Sequence, residues 1–413
     1  MGPTSRLEVL VVICLVAAAY LAAGGVPAAQ GAAKTLAVEA GPSARANVPM
    51  SVDVPAGTSQ ARMMDGGKEV PCQVADGKLW WILDDLAAGA AKTYAVDLGA
   101  ACAADPKAVE LKETPETVEI AIDGKPFTVY RFTNPKVGAV QIKRPYFWPV
   151  LGPDQTPMTR AWPCGDDPAD KAKKDHPHHT SLWVAYGEVG GADNWSNSDK
   201  AGWQVHKAFQ AVQGGPVVGF FRETLDWTDA ARKPNMAEVR TARVWRLAAA
   251  GRLIDLEIVF QARYGKVVFG DTKEGGICAT RMRTELRADK DGAEGRLVLS
   301  TSQAGDTAWG KRADWCDMSG MVAGKRLGYA IFDAPGNLTF PTRWHARAYG
   351  LVSTNPFAVA SFEKGAPKNE VTLEEGKEMT FRYRLYFHTG DEKESHVAAR
   401  YADYADPPKA TWK

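Results

Sequence analysis

The sequence predicts an all-β protein in which a small N-terminal β-sandwich is followed by a large antiparallel β-sandwich. Three observations predict this fold. Five short strand-like runs, separated by turn residues, follow one another within about 65 residues near the start of the chain. Ten or more further runs follow within about 280 residues. The best helical pattern lies near the C-terminus, at 392–404, after Asp391, a residue type that caps helices.

The first module is predicted over residues 34–102. Its apolar runs alternate with turn residues such as Asp65-Gly66-Gly67 and Asp76-Gly77, as in small β-sandwiches. The predicted strands are Thr35–Glu39, Val48–Val54, Val70–Val74, Lys78–Leu83 and Lys92–Leu98. The second domain is predicted over residues 103–413, and its first residues, 103–114, form a connector.

The second domain opens with a predicted hairpin, because Asp123-Gly124 separates two strand-like runs. In the run Leu253–Phe260 polar and apolar residues alternate, which indicates a sheet with one face toward water or a cleft. The other predicted strands are Val118–Ile122, Phe127–Phe132, Ala139–Lys143, Val217–Trp227, Arg240–Leu247, Arg296–Ser300, Leu327–Phe332, Phe357–Phe362 and Met379–His388. The stretch 145–207 breaks this rhythm and is predicted to be a long functional loop.

Composition and charge exclude several classes of protein. The 413-residue chain carries 50 Lys+Arg and 49 Asp+Glu, a net charge of +1, and 45% of its residues are hydrophobic. Such a chain folds, and it lacks the basic excess of a nucleic-acid binder. The sequence has no GxGxxG, P-loop, HExxH or GxSxG pattern, which argues against dinucleotide dehydrogenases, NTPases, zincin proteases and standard α/β-hydrolases.

Residues 1–33 are predicted to be a secretory signal peptide. Arg6 precedes an apolar run, Val9–Ala23, that is shorter than the roughly 20 residues of a membrane span, and small residues around 28–32 offer a cleavage site. An uncleaved anchor is the alternative. We therefore expect an exported mature protein, periplasmic or extracellular, with no membrane span.

The mature chain keeps five of the six cysteines, because Cys14 lies in the signal peptide. An odd number leaves at least one thiol unpaired within the chain. Cys72 and Cys102 are candidates for a disulfide in the first module. The sequence has no CxxC pair, so it lacks the pattern of a zinc ribbon.

The densest local feature is Asp175-His176-Pro177-His178-His179, which holds three of the seven histidines. Pro177 favours an extended residue before it. An extended segment would project His176 and His178 to one side and His179 to the other. The segment is interpreted as a sugar-binding or acid–base site, as a pair of metal ligands, or as structural histidines.

Charged residues also gather in the turn Gly270–Gly276, where Asp271, Lys273 and Glu274 lie between glycines after a strand. This position suits the rim of a cleft, and a solvated hairpin tip is the alternative.

In Thr342–Gly350, a strand would place His345, Arg347 and Tyr349 on one face and Trp344 on the other. That polar and aromatic face suits a carbohydrate cleft, and an exposed edge is the alternative. Arg144 and Tyr146 form a further candidate of the same kind.

Seven of the thirteen tryptophans lie between Trp148 and Trp245. Tryptophan faces stack on the apolar face of sugar rings. The candidate sugar contacts are Trp148, Trp183, Trp195 and Trp203, with core packing as the alternative.

These motifs together resemble the secreted bacterial proteins labelled PmoA family, or methane oxygenase PmoA. The motifs are Arg144-Pro145-Tyr146-Phe147, Asp175–His179 followed by Ser181-Leu182-Trp183, Gly270–Gly275, and Trp344-His345 with Tyr349-Gly350-Leu351 and Asn355-Pro356-Phe357. The resemblance runs from about residue 35 to the C-terminus. It implies the supersandwich fold of galactose mutarotases and of several glycoside hydrolases and lyases. That fold does not match the multi-span helical subunit of the membrane methane monooxygenase.

The sequence thus predicts a secreted carbohydrate-active enzyme that uses His/Glu acid–base chemistry for glycosidic cleavage, elimination or epimerisation. His178 or His179 is the predicted general acid and Glu274 the predicted general base. The predicted substrate-binding residues are Arg144, Tyr146, His176, Trp183, Trp195, Asp271, Lys273, His345 and Arg347. Among these, arginine suits a uronate carboxylate because its planar fork binds bidentately.

Two other functions stay open. The first is a metal-dependent oxidoreductase, with His176, His178 and either His345 or His206 as ligands. The second is a non-catalytic glycan-binding protein. The sequence identifies no cofactor.

Overall fold

The computed structural model describes residues 33–168, 170, 174–247, 251–289 and 294–413. The signal-peptide prediction falls outside these residues, except for Ala33, and stays a prediction. Within the described residues the chain forms 28 strands and one α-helix, so the all-β prediction is confirmed. The described helices are too short or too polar to cross a membrane.

The strands follow one another along the whole described chain. The first seven are β1 (Lys34–Glu39), β2 (Arg45–Asp53), β3 (Arg62–Asp65), β4 (Lys68–Val70), β5 (Cys72–Ala75), β6 (Lys78–Leu86) and β7 (Ala91–Asp97). The next seven are β8 (Val109–Glu113), β9 (Thr117–Ile122), β10 (Lys125–Arg131), β11 (Lys136–Val137), β12 (Val140–Gln141), β13 (Tyr146–Val150) and β14 (Leu182–Tyr186).

The longest strands come in the second half of the chain. They begin with β15 (Trp203–Gln213), β16 (Val218–Thr228), β17 (Pro234–Trp245), β18 (Gly251–Gln261), β19 (Val267–Phe269), β20 (Gly275–Arg281) and β21 (Arg296–Leu299). The rest are β22 (Trp315–Val322), β23 (Lys325–Asp333), β24 (Arg343–Trp344), β25 (Leu351–Asn355), β26 (Val371–Leu373), β27 (Glu378–Thr389), helix α1 (Val397–Ala405) and β28 (Lys409–Trp412). Short 3-10 helices lie at Thr284–Leu286 and Gly305–Ala308.

The N-terminal strands form a small two-sheet sandwich. One sheet has the order β28-β1-β7-β3-β4 and the other β2-β6-β5. Leu36, Val48 and Trp81 are among the buried residues that fill the space between them. Strand β28 pairs with β1, so the last residues of the chain complete a sheet that the first described residues begin.

Two eight-stranded antiparallel sheets form the large sandwich. Sheet I has the order β24-β25-β20-β14-β13-β10-β9-β8, and sheet II has the order β15-β16-β17-β18-β27-β23-β22-β21. Alternation along the strands makes one face of each sheet apolar, and these faces pack together. Tyr130 of sheet I, for example, stacks on Phe221 of sheet II with ring centroids 4.4 Å apart. The predicted large antiparallel sandwich is therefore confirmed.

Several local predictions differ from the structure. The predicted loop 145–207 contains β13 and β14, two strands of sheet I. The predicted strand Phe357–Phe362 is a turn-rich loop instead. The C-terminal helix begins at Val397 rather than near 392, because Asp391 caps a preceding turn by accepting the backbone N–H groups of Lys393 and Glu394. Cys72 and Cys102 carry free thiols, so no disulfide joins them here.

Candidate functional site

A cleft of about 640 Å³ lies on the outer face of sheet I, the face turned away from sheet II. On β14, Leu182 and Val184 point into the core between the sheets, whereas Trp183 points to this outer face. The cleft is lined by His176, His178, His179, Gly187, Glu188, Asp193, Trp195, Ser196, Thr272, Lys273, Glu274, His345, Arg347 and Tyr349. Eight of the twelve predicted site residues are in this lining, and they come from distant parts of the chain.

Sheet order explains why these segments meet. The lining segments are 176–179, 187–196, 272–274 and 345–349, and each adjoins β14, β20, β24 or β25. Those four strands are consecutive in sheet I. Adjacent strands lie about 4.8 Å apart, so their connections are brought onto one patch of the sheet surface.

Two tryptophans form the base of the site. Trp183 and Trp195 are 1% and 2% exposed, and their ring centroids lie 5.6 Å apart. Trp183 and Tyr146 belong to the apolar cluster beneath the lining and do not line the cleft. These rings therefore support the imidazoles above them rather than offering a free face to a sugar.

Arg144, predicted as a substrate-binding residue, is buried beneath the cleft and binds the backbone of two lining segments. Its side chain is 1% exposed, and the guanidinium donates hydrogen bonds to the carbonyl oxygens of His178 (2.8 Å), Trp195 (2.6 Å) and Ser196 (2.7 Å). Burial lowers the pKa of Arg144 to about 10, which leaves it charged at neutral pH. One buried cation thus joins two lining segments.

The histidine segment is a turn and not the extended chain that the sequence predicts. His176 has a φ of 44°, and its carbonyl oxygen accepts the backbone N–H of His179 at 3.0 Å. Arg160 donates to the carbonyl oxygens of Asp175 and His176, which fixes the start of the turn. The left-handed conformation is uncommon for a residue other than glycine and brings all three imidazoles to the same cleft.

The rings of the turn form a column. Trp183, His179, His176 and Tyr349 stack in that order, with successive ring centroids 5.5, 4.7 and 5.3 Å apart. His178 stands edge-on to His179 at 4.6 Å. This packing fixes the orientation of each imidazole.

An arginine also fixes the tautomer of His179. Arg281 Nη1 lies 3.2 Å from Nδ1 of His179. An arginine cannot accept a hydrogen bond, so Nδ1 of His179 is the acceptor and the ring proton is on Nε2. Neutral His179 is therefore a hydrogen-bond donor at Nε2.

Burial keeps most of these imidazoles neutral. Burial, with the charge of Arg144, lowers the pKa of His178 to about 3. Burial, with the charges of Arg347 and Lys273, lowers the pKa of His345 to about 3. Burial also lowers the pKa of His179 well below its usual range. A neutral imidazole donates a hydrogen bond or accepts a proton, which differs from the general-acid role that the sequence predicts for His178 or His179.

Glu274 and Lys273 also line the cleft. Lys273 Nζ lies 2.8 Å from Glu274 Oε1, and the Glu274 side chain is 36% exposed. Asn355 holds their turn by donating to the carbonyl oxygens of Thr272 and Lys273. A side chain at Gly187 would collide with the carbonyl oxygen of Glu274, since a Cβ there would lie 2.9 Å from it.

The segment from His345 to Tyr349 lines one side of the cleft. Only Arg343–Trp344 is a strand, yet the alternation predicted from the sequence extends beyond it: Trp344 is buried in the core, while His345, Arg347 and Tyr349 line the cleft. The guanidinium carbon of Arg347 lies 4.7 Å from the centroid of Trp309. Burial raises the pKa of Tyr349, so this phenol is protonated at neutral pH.

Asp271 does not line the cleft. Its carboxylate accepts the backbone N–H groups of Val359, Ala360, Ser361 and Asn369. The residue anchors the loop that follows β25. Two other candidate sugar contacts are engaged elsewhere: Lys143 and Arg232 lie 4.6 and 3.4 Å from the ring centroid of Trp203, and Gly165 packs against Trp148.

The sequence reasoning missed several residues of the site. Asp175 stands next to the predicted histidines and offered a signal, because a carboxylate beside an imidazole can orient it. Asp193 also lines the cleft and fixes the Trp195 segment by accepting the backbone N–H groups of Trp195 and Ser196. Arg281 had no local signal, because it lies at the end of an otherwise apolar strand.

No group of three or more His, Cys, Asp or Glu residues is arranged to hold a metal ion in the part of the chain that the structure describes. Neither ligand set proposed from the sequence therefore forms a metal-binding group among those residues.

The chain belongs to a family of unknown function, DUF6807, whose model matches residues 117–402. No curated protein matches the chain. The solved structures it resembles include heparan sulfate lyase HepC from Pedobacter heparinus, at 7% identity and a TM-score of 0.27, which covers 68% of this chain and 37% of that one. A mutant of that lyase gives 6% identity and a TM-score of 0.31 over the same shares of the two chains. These names do not include PmoA, so that resemblance stays a prediction.

A putative kojibiose phosphorylase from the human microbiome matches at 9% identity with a TM-score of 0.28, over 72% of this chain and 36% of that one. The chain thus spans little more than a third of the length of these structures. Overlaps this weak carry no argument about the site or its reaction.

Proposed function

We propose that this protein is an exported carbohydrate-active enzyme that performs acid–base chemistry on a sugar bound in the outer-face cleft. The observation that carries the proposal is the convergence of four distant segments on one cleft, which brings four imidazoles and Glu274 into the same lining. Clustered titratable groups of this kind in a concave site are the usual mark of proton-transfer chemistry.

The cleft favours proton transfer by imidazole over hydrolysis by a pair of carboxylates. Asp193 is engaged by two backbone N–H groups and by the hydroxyl of Ser196, and Glu274 pairs with Lys273. Glu188 is the third lining carboxylate, and the four imidazoles and one phenol of the lining outnumber these three. Elimination or epimerisation of a sugar therefore fits these groups better than two-carboxylate glycoside hydrolysis.

In this proposal the Nε2–H group of His179 donates a hydrogen bond to a sugar oxygen. Arg347 and Lys273 bind hydroxyl groups or a carboxylate of the sugar, and Glu274 acts as a proton carrier. Arg144, Tyr146 and Trp183 position these groups from below.

The buried tryptophans argue against the non-catalytic alternative. Glycan-binding surfaces present free aromatic faces, and both Trp183 and Trp195 are almost wholly buried.

The test is incubation of the purified protein with neutral and uronate-containing polysaccharides. The products are followed as new reducing ends, as an unsaturated chromophore, and by NMR for a changed sugar configuration. We expect at least one substrate to be altered, and Glu274→Gln or His179→Gln to lower kcat by about 100-fold or more. Glu374→Gln and His396→Asn change exposed residues outside the cleft and are the matched controls. A protein that retains a glycan but leaves it intact would be a binding protein, and the proposal would be wrong.

A further inference from the structure

Among the lining histidines, His176 combines access to solvent with a carboxylate partner. Its side chain is 40% exposed, whereas His179 and His345 are 1% and 3% exposed. Nδ1 of His176 lies 3.1 Å from Oδ1 of Asp175, a close charge contact whose angle is not that of a hydrogen bond. For the described part of the chain, no carboxylate lies within 4.0 Å of His178, His179 or His345.

Two buried arginines hold Asp175 in place. Arg160 Nη1 donates to Asp175 Oδ1 at 2.6 Å, and Arg281 Nη2 donates to the same oxygen at 3.4 Å. Burial raises the pKa of Asp175, but His176, Arg160 and Arg281 lower it by more, to about 2. Asp175 is therefore an anion that accepts hydrogen bonds throughout the neutral range.

The ring of His176 is held between two others. It stacks on His179 at 4.7 Å and 8° from parallel, and on Tyr349 at 5.3 Å and 18°. This column and the turn at His176 hold Nδ1 3.1 Å from the Asp175 carboxylate. An anion this close favours the tautomer that carries its proton on Nδ1, and in that tautomer the lone pair of Nε2 is the basic site of the ring.

We propose that His176, oriented by Asp175, is the general base of the cleft. This inference rests on the proposed function and names as base a residue that the sequence analysis placed among the substrate-binding residues and, in the alternative, among metal ligands. Nε2 forms a bond to a substrate proton, and the electrons of the broken O–H or C–H bond stay on the substrate. The imidazolium keeps its second proton on Nδ1 against Asp175, and the proton on Nε2 returns to the product or to solvent. The neighbouring His179 Nε2–H stabilises negative charge that develops on a substrate oxygen.

The groups that contact each imidazole explain why His176, rather than another lining histidine, is the proposed base. His179 faces the Arg281 cation at Nδ1, which opposes protonation of that ring. His178 and His345 are buried beside cations. An imidazolium at His176, by contrast, gains an anion at 3.1 Å and access to water.

The first measurement is steady-state kinetics on a substrate that the wild-type enzyme alters. We expect His176→Gln to lower kcat by about 100-fold or more, with KM changed by less than about threefold. His176→Ala should regain activity when free imidazole is added, which a merely structural histidine would not allow. His396→Asn is the matched histidine control.

The second measurement needs no substrate and uses the imidazole ¹⁵N chemical shifts of the folded protein, which tell a protonated ring nitrogen from an unprotonated one. The groups around the His176 ring are Asp175, His178 and His179 on its own turn, Arg160 from the preceding loop, Arg281 from β20 and Tyr349. Asp175→Asn removes the one anion of that set, so the ¹⁵N shifts should show part of the His176 proton moving from Nδ1 to Nε2.

The outcomes separate the two proposals. If the wild-type protein alters no sugar, the proposed function fails and this inference fails with it. If the wild-type protein is active but His176→Gln keeps more than a third of kcat, the base is elsewhere and only this inference is wrong. Unchanged ¹⁵N shifts of the His176 ring in Asp175→Asn would also overturn it, because Asp175 would then not set the tautomer.

Discussion

Replacing Asp271 tests whether this residue anchors a loop or binds a substrate. The sequence predicts substrate binding, whereas the structure gives its carboxylate four backbone N–H donors, from Val359 (3.0 Å), Ala360 (2.7 Å), Ser361 (2.9 Å) and Asn369 (2.9 Å). A carboxylate that accepts several backbone N–H groups stabilises the loop that supplies them.

The magnitude follows from these contacts. Each donor left without its partner costs about 1 kcal/mol at a partly hydrated site, so Asp271→Ala should lower the free energy of unfolding by about 4 kcal/mol. Asp271→Asn keeps one acceptor oxygen and should cost about 2 kcal/mol. Asp406→Asn changes an exposed aspartate outside the site and should cost less than about 0.5 kcal/mol.

The cost should also depend on pH. Burial raises the pKa of Asp271, but the backbone N–H groups of Asn369, Ser361, Ala360 and Val359 lower it by more, and the net shift is downward. A carboxyl with a lowered pKa in the folded state stabilises the protein above its unfolded pKa of about 3.9 and loses that contribution as the pH falls through the folded value. The difference between wild type and Asp271→Asn should therefore shrink below about pH 4.

Urea unfolding followed by tryptophan fluorescence measures the free energy. Hydrogen exchange of residues 359–369 measures the opening of the loop. The reasoning would be refuted if Asp271→Ala left the urea midpoint unchanged and instead raised KM for a sugar. That result would restore the role predicted from the sequence.

Two further predictions concern the cleft. Arg144→Lys keeps the charge but offers one ammonium group in place of a guanidinium that reaches three carbonyl oxygens. We expect it to lower the free energy of unfolding by about 2 kcal/mol, to speed hydrogen exchange at 176–179 and 195–196, and to lower kcat. Unchanged exchange at both segments would show that Arg144 does not hold them. His345 has a pKa of about 3 when folded and about 6.5 when unfolded, so the unfolded chain binds more protons between these values. The free energy of unfolding should therefore decrease as the pH is lowered from about 6.5 to about 3, by at most about 1.4 kcal/mol per pH unit for this residue. Urea midpoints for His345→Gln should depend less steeply on pH than those of the wild type, and an equal slope would contradict the assignment.

Most strands of the fold and most residues of the candidate site could be predicted from the sequence. Strand positions were predictable because alternation and turn residues are local signals, as at Asp123-Gly124 and along β18. The order of strands in sheet I could not be predicted in this way, because it depends on pairing between distant segments such as β20 and β25. Without that order, no local pattern places Glu274 and His345 in the same cleft.

Residue type alone did not separate lining residues from supporting ones. Arg144 and Arg347 carry the same group, yet the first is buried against carbonyl oxygens and the second lines the cleft. Their burial follows from what the rest of the chain places around them. The alternation in Thr342–Gly350 was predictable because an extended backbone keeps its period of two even where it makes few ladder hydrogen bonds.

The His176 turn shows most clearly what local rules leave open. A residue before proline avoids the right-handed helical region, and extended backbone is the usual alternative. His176 takes the left-handed region instead, which also avoids the clash, and Arg160 stabilises that choice by binding the carbonyl oxygens of Asp175 and His176. An extended segment would direct His179 away from His176, whereas the turn stacks the two rings. The proposed base and the neighbouring hydrogen-bond donor therefore depend on one backbone angle, and a buried arginine 16 residues earlier in the chain holds it.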